Sequence, residues 1–419
     1  MQAKPSTEIQ IISAGIALTY LFYLTGTLYV FGSVVGWMVL FIFVLRSYVE
    51  GRSVTLSALP ITLFIWIFGM GMMLVALLVA HAEFRLGTGQ TIKSSIGWAK
   101  GWALLALFLF LGAILPIKTA IISRACCILA SQTLLFVPVS IAGVVVGLDG
   151  PLYLSPLKAI GGPISTFEVN LFGMNPETGK PRWPFFAPWA PAAGLVSCLY
   201  LVICSQEKDK FWRRAGISGA VVMCLLCQSR AGWAVFLAII PALYVYNRIS
   251  LPAALLVLGT GLSMVIMLGQ PVIEHVLDIH QQIKDARPDS TRVRNDLATI
   301  ALQRWESEAP IWGHGIVEPG PKIVEFMPIG SHHSWYGLLF VKGIVGLVSF
   351  AIPMFFTFFY LMLFAGKCEK KWASLLILFV ITCYSFFENI EILAYLLWPA
   401  LIWVGITLNP TKDLENSHE

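Results

Sequence analysis

The sequence predicts an all-α, polytopic membrane protein with about 12 transmembrane helices and a large loop containing two helices. Three observations carry that expectation. The 419-residue chain is 57% hydrophobic and only 12% charged, where soluble domains run at roughly 45–50% and 25%. Its mean hydropathy is +0.78. Mostly apolar runs of the length needed to cross a bilayer, about 20 residues, recur from residue 9 almost to residue 408. The chain is therefore read as a single integral membrane domain, 1–419. A net charge of +5 is too small to imply nucleic acid, and the partners expected first are membrane lipids.

In chain order the predicted spans are 9–26, 28–45, 57–80, 99–117, 125–147, 188–205, 215–228, 231–247, 251–270, 335–365, 373–388 and 392–408. The first run is too long for a signal-peptide core and lacks a small-residue cleavage site, so it reads as a retained span. Basic residues concentrate at every second connection: 46–52, 118–124, 207–214, 247–248 and 367–371. That alternation places those loops and both termini in the cytoplasm. The other face, which in a bacterial inner membrane is the periplasm, receives 81–98, 148–187, the corner at Ser229-Arg230, 271–334 and the corner from Glu388 to Glu391. The eight cysteines lie in apolar runs or near the basic loop at residue 368, so no disulfide framework is expected. Cys224 and Cys227 form a C-x-x-C inside a span, where cysteine packs as a small hydrophobe.

Two connections are long. Residues 148–187 are rich in Pro, Gly and aromatics and read as a surface loop lying along the membrane, its Trp and Tyr at headgroup depth. Residues 271–334 begin with a helical pattern, turn at Arg287-Pro288-Asp289, and resume as a second helix with Ser290 or Thr291 as its cap. Val293, Leu297, Ile300, Ala301 and Trp305 recur there at helical spacing. A Gly/Pro-rich return leads to "MPIGSHHSWYGLLFVKGIVG", residues 327–346.

The residues able to carry chemistry gather on the predicted periplasmic side. The span starting at 335 is longer than a crossing needs, and Lys342-Gly343 sits about two turns into it. A break there leaves 334–341 as a surface half-helix and brings His332 and His333 over a cavity. The plainer reading makes the two histidines interface residues beside an aromatic belt. Arg230 sits between two apolar spans, where a guanidinium either snorkels or holds a phosphate bidentately. Arg292 and Arg294 fall near a helix N-terminus, which also favours an anion, although a solvated helix face accounts for them too. A diphosphate leaving group calls for cations as charge develops, and a neutral histidine accepts the proton of an attacking hydroxyl. No metal or other cofactor is required; His275, Asp278 and His280 do not form a tight metal motif.

At these residues the chain resembles the O-antigen ligase and O-antigen polymerase superfamily of bacterial inner-membrane glycan transferases. His332, then His333, nine residues and "GIVG" (Gly343, Gly346) match that family's pattern of His, a polar residue, a nine-residue gap and Gly-x-x-Gly, with His in the second position. The spacing favours His332 over His333. Ser229-Arg230 resembles the family's membrane-edge arginine, and residues 292–316 resemble its loop helix running to a Pro-x-x-Gly-x-Gly turn at Pro310, Gly313 and Gly315. The resemblance implies a GT-C-like fold and transfer of a glycan from an undecaprenyl-diphosphate-linked donor to an acceptor hydroxyl. Arg230 with Arg292 or Arg294 would bind the donor diphosphate, and His332 or His333 would activate the acceptor. A ligase uses lipid A-core as acceptor; a polymerase uses another lipid-linked glycan. A secondary transporter is a competing class, but it would place ionisable groups near the midplane, and Lys342 is the main one in these spans. Glu388 and Glu391 either shape an acceptor site or cap a turn.

Overall fold

Fourteen α-helices are present in the described part of the chain, which in this computed structural model comprises residues 6–51, 59–148, 150–175, 179–245, 288–365 and 368–409. The predicted span 251–270, the first helix of the 271–334 loop, and His275, Asp278 and His280 lie outside the described residues. The helices are α1 (Thr7–Ala17), α2 (Thr19–Leu24), α3 (Leu28–Val49), α4 (Ile61–Glu83), α5 (Thr88–Lys100), α6 (Trp102–Ile114) and α7 (Thr119–Val146). They continue with α8 (Ala190–Ser205), α9 (Lys210–Leu226), α10 (Arg230–Val245), α11 (Pro288–Glu308), α12 (Ser334–Ala365), α13 (Glu369–Ser385) and α14 (Ile390–Leu408). Among the described residues, six stretches are long and apolar enough to cross a membrane: α3, α4, α5 with α6, α7, α12 and α14. With α8 and α10 apolar but shorter, this is a multi-pass α-helical membrane protein.

Three sequence expectations change. Residues 81–98 are not a loop: α4 runs on to Glu83, and α5 begins after Gly87 at φ 83°. The polar stretch has no buried residue to betray it; side-chain ties hold it instead. Trp98 Nε1 donates to the Met70 carbonyl at 2.9 Å, and His81 Nε2 lies 2.9 Å from Ser94 Oγ. The described residues of 148–187 include four two-residue strands, Tyr153–Leu154 paired with Glu168–Val169 and Gly173–Met174 paired with Pro181–Arg182, both antiparallel. Phe167, Val169, Phe185 and Phe186 of this segment enter the core, and Tyr23 Oη donates to the Asn170 carbonyl at 2.6 Å. The loop is thus packed into the end of the bundle. Finally, α11 starts at Pro288, so Ser290 and Thr291 fall inside its first turn rather than at a cap. Proline suits that first position because it has no N–H to leave unpaired.

Helix α14 is the axis of the bundle, buried along nearly its whole length. It packs against α6, as α9 packs against α7 and α12 against α4. Hydrophobicity alone gives apolar helices no reason to associate in lipid, so close backbone approach carries the contact. At α6–α14 it is made by Gly112 against the Ile402 backbone and Gly405 against the Leu109 backbone. Cys224 and Cys227 are buried and unlinked, as packing residues would be.

Valine at position 112 would drive its Cβ into the Ile402 backbone. Gly112→Val is expected to cost about 1–3 kcal/mol by overpacking and to lower the thermal midpoint in detergent. Gly71→Val, where an added Cβ meets nothing within 4 Å, should leave the midpoint unchanged.

Candidate functional site

Helix α12 is broken where the sequence places the break. Gly343 has φ 62° and ψ −163° in the middle of otherwise helical residues. A helix interrupted there loses i to i−4 hydrogen bonds on both sides, and orphaned backbone groups in a membrane protein must find other partners. The return loop supplies them. The His314 and Gly315 N–H groups donate to the Phe340 and Val341 carbonyls at 2.9 Å each. The Ile344 and Val345 N–H groups donate to the Pro310 and Ile311 carbonyls at 3.0 and 3.3 Å. Gly313 (φ 72°) and Gly343 meet backbone to backbone, with no room for a Cβ on either. The Pro-x-x-Gly-x-Gly turn is therefore the patch on the broken helix.

Side chains lock this patch to α11. His314 stacks on the Phe340 ring at 4.2 Å, and its Nε2 lies 2.8 Å from Glu308 Oε2. Arg304 binds Glu308 at 2.7 Å and Glu318 at 2.6 Å, and lies over Phe340. The Arg304 hydrogen bond, followed by that to His314, holds the Glu308 carboxyl down at about 2. The expected apolar face of α11 is real: Val293 and Leu297 pack on Val324, and Ala301 on Ile329 and Phe340.

The opposite face of α11 carries Arg294, Asn295, Ala298, Thr299 and Leu302, and lines a cavity of about 460 Å³ with Gly330, Ser331, His332, His333, Tyr336 and Phe386. Both predicted histidines and one predicted arginine thus meet in one place. His332 sits at φ 62°, a left-handed conformation uncommon for a residue with a Cβ. His333 precedes α12, and its Nδ1 accepts the Tyr336 N–H at 3.4 Å while its ring lies on Tyr336 at 4.1 Å. Burial lowers both histidines to about 4, and the Arg294 charge adds to the shift of His332. Both rings are therefore neutral at physiological pH, with Nδ1 of His333 already occupied.

The other two arginines stand differently. Arg292 reaches away from the cavity, donating to the Ile323 carbonyl at 3.2 Å and pairing with Asp296 at 3.5 Å. Arg230 is the exposed first residue of α10, after Ser229, whose Oγ accepts the Gly232 N–H at 3.1 Å. Arg230 does not line the histidine cavity, but it shares its end of the bundle. There the α9 terminus (Leu226 O, Gln228) bonds to Trp183 and Pro181, and Trp189, at the start of α8, donates to Glu388 at 2.8 Å. Glu388 in turn joins α12, because its carbonyl accepts from Ser334 Oγ at 2.7 Å.

Glu388 and Glu391 part company. Glu388 lines neither this cavity nor its neighbour; burial pushes its carboxyl up to about 7, against the Trp189 hydrogen bond and the Arg294 charge. It fastens a corner. Glu391, with Lys342, lines a second cavity of about 340 Å³ on the far side of Gly330 and Ser331, which border both.

Residues 215–351, which carry Arg230, all of α11, the patch, the histidines and the helix break, match a family model described as O-antigen ligase. No curated protein matches the chain.

Alanine at position 343 combines a left-handed φ with a clash against Ile311. Gly343→Ala should destabilise the protein by about 1–3 kcal/mol. Hydrogen exchange should locate the damage, with faster exchange at His314, Gly315, Ile344 and Val345 than in α6.

Proposed function

We propose, from the match of residues 215–351 to a family model described as O-antigen ligase, that the protein transfers a glycan from an undecaprenyl-diphosphate-linked donor to an acceptor hydroxyl at the periplasmic face of a bacterial inner membrane. The observation that carries the reading is the shared cavity of His332, His333 and Arg294 beside the patched helix break. The proposal includes the remaining predicted spans, a GT-C-like arrangement and a 271–334 loop bearing the catalytic motif.

In this mechanism Arg294 and Arg230 hold the donor diphosphate and stabilise charge on it as the bond to the sugar breaks. Arg292 fastens the loop, since its guanidinium is engaged with Ile323 and Asp296. His332 is the base. Its ring is neutral and it makes no side-chain hydrogen bond among the described residues, whereas His333 spends Nδ1 on a backbone N–H. The acceptor hydroxyl gives its proton to His332 as its oxygen attacks the anomeric carbon. The carbon–oxygen bond to the diphosphate breaks, and undecaprenyl diphosphate leaves. With lipid A-core as acceptor this is an O-antigen ligase, the reading put first; with a second lipid-linked repeat unit it is a polymerase making O-antigen, capsule or exopolysaccharide. The donor chemistry is common to both.

The test is incubation of the purified protein in liposomes with an undecaprenyl-diphosphate-linked repeat unit, with and without lipid A-core. His332→Ala should lower turnover by about 10²-fold or more, in keeping with the usual worth of a general base, and His333→Ala by much less. Equal losses in the two variants, or turnover unaffected in both, would refute the assignment of the base.

The pH dependence follows from burial. A base with its pKa near 4 stays unprotonated as pH falls through the ordinary histidine value of about 6.5 and is lost only below about 5. kcat/KM, which reports the free enzyme, should therefore be nearly flat on its acid side from pH 8 to 5.5. Removing the Arg294 charge as Arg294→Gln should move the acid limb upward. An acid limb at pH 6.5 in the unaltered protein would count against a buried, neutral His332.

A further inference from the structure

The second cavity is not used by the mechanism above, yet it is built from costly parts. Lys342, one residue before the helix break, is 3% exposed. Glu391, in the first turn of α14, faces the same space, and the two charges attract one another. No ion pair joins them among the described residues. Trp102, 2% exposed, directs Nε1 toward the Glu391 carboxylate without completing a hydrogen bond, and Ser331 Oγ is also buried without a partner. Both line the cavity, with Tyr29 and Asn389.

Buried polar groups left unpaired are costly, by about 1–3 kcal/mol each and more where charged, so their convergence on one cavity asks for a ligand that pairs them. The chemistry of that ligand can be read from the lining. An ammonium and an indole N–H donate, a carboxylate accepts, and a hydroxyl does both. Lys342 and Glu391 cancel in charge, which does not favour a diphosphate, and the polar groups do not favour a lipid tail. Tyr29 and Trp102 offer ring faces beside them. A sugar ring, with hydroxyls that donate and accept around an apolar body, satisfies all of these. The volume, about 340 Å³, lies within the usual range for small-molecule sites, about 300–1,000 Å³.

We propose that this cavity binds a sugar unit of the acceptor glycan, held by Lys342, Glu391, Trp102 and Ser331, while the donor diphosphate occupies the Arg294 side of the Gly330-Ser331 turn. The assignment of the sugar to an acceptor rests on the transferase reading. Its residues bind and orient; none exchanges a proton in the reaction.

The experiment uses the full chain in detergent and reads binding separately from transfer. The probes are two oligosaccharides without lipid or diphosphate, the core oligosaccharide freed from lipid A and the released repeat unit, and undecaprenyl diphosphate without a glycan. One of the oligosaccharides should bind the unaltered protein by calorimetry. Lys342→Met should weaken that binding at least tenfold and Trp102→Phe, which keeps the packing and removes one N–H, several-fold; both should bind undecaprenyl diphosphate within twofold, which shows that they remain folded. Arg294→Gln should show the reverse pattern. The proposal is overturned if neither oligosaccharide binds, if binding survives Lys342→Met and Trp102→Phe unchanged, or if those variants lose undecaprenyl diphosphate instead. Oligosaccharide binding lost in these variants, in a protein that transfers nothing, would uphold the sugar site and sink the transferase reading.

Discussion

The arrangement around the candidate site depends on one exchange of hydrogen bonds, in which a loop supplies the partners that a broken membrane helix lacks. At Gly343 the backbone of α12 leaves the helical region, and the 310–315 turn donates to two of its stranded carbonyls and accepts from two of its stranded N–H groups. In an apolar surrounding each such group left alone costs several kcal/mol. The loop and the helix therefore fold against each other or not at all. Glycine is needed on both sides because the two backbones touch.

That constraint propagates outward in a definite order. The patched break fixes the half-helix starting at Ser334, and Ser334 fixes the corner before α14 by donating to Glu388 O and accepting the Ile390 N–H at 2.9 Å. Through the His314, Glu308 and Arg304 network it also fixes the end of α11. Once α11 is set, Arg294 lies opposite the histidines. Two cavities then result, one on either side of a turn two residues wide, the first cationic and the second charge-balanced.

Much of this was legible in the sequence, for physical reasons that differ by element. The break in α12 was readable because the apolar run is too long for a single crossing and holds a Lys-Gly pair about two turns in. The apolar stripe of α11 was readable from periodicity. Helix α5 was not, because its turns bury nothing and are held by hydrogen bonds to α4. The short strands of 148–187 are too brief to show an alternating pattern. The choice between Arg292 and Arg294 was also hidden: residues two apart on a helix point roughly 200° from one another, but both are polar, and it takes the contact of Arg292 with Ile323 and the place of Arg294 in the histidine cavity to separate them. The convergence of Lys342, Glu391 and Trp102 on one cavity joins three distant segments, and no local signal foretells it.

The left-handed turn at His332 has a consequence for what can be optimised at that position. A side chain at φ 62° carries strain that glycine would not. The residue that best stabilises the turn and the residue with a ring nitrogen to offer are different amino acids. Stability and chemistry are thus in direct competition at one site, and a screen for thermostable variants would be drawn toward removing the imidazole.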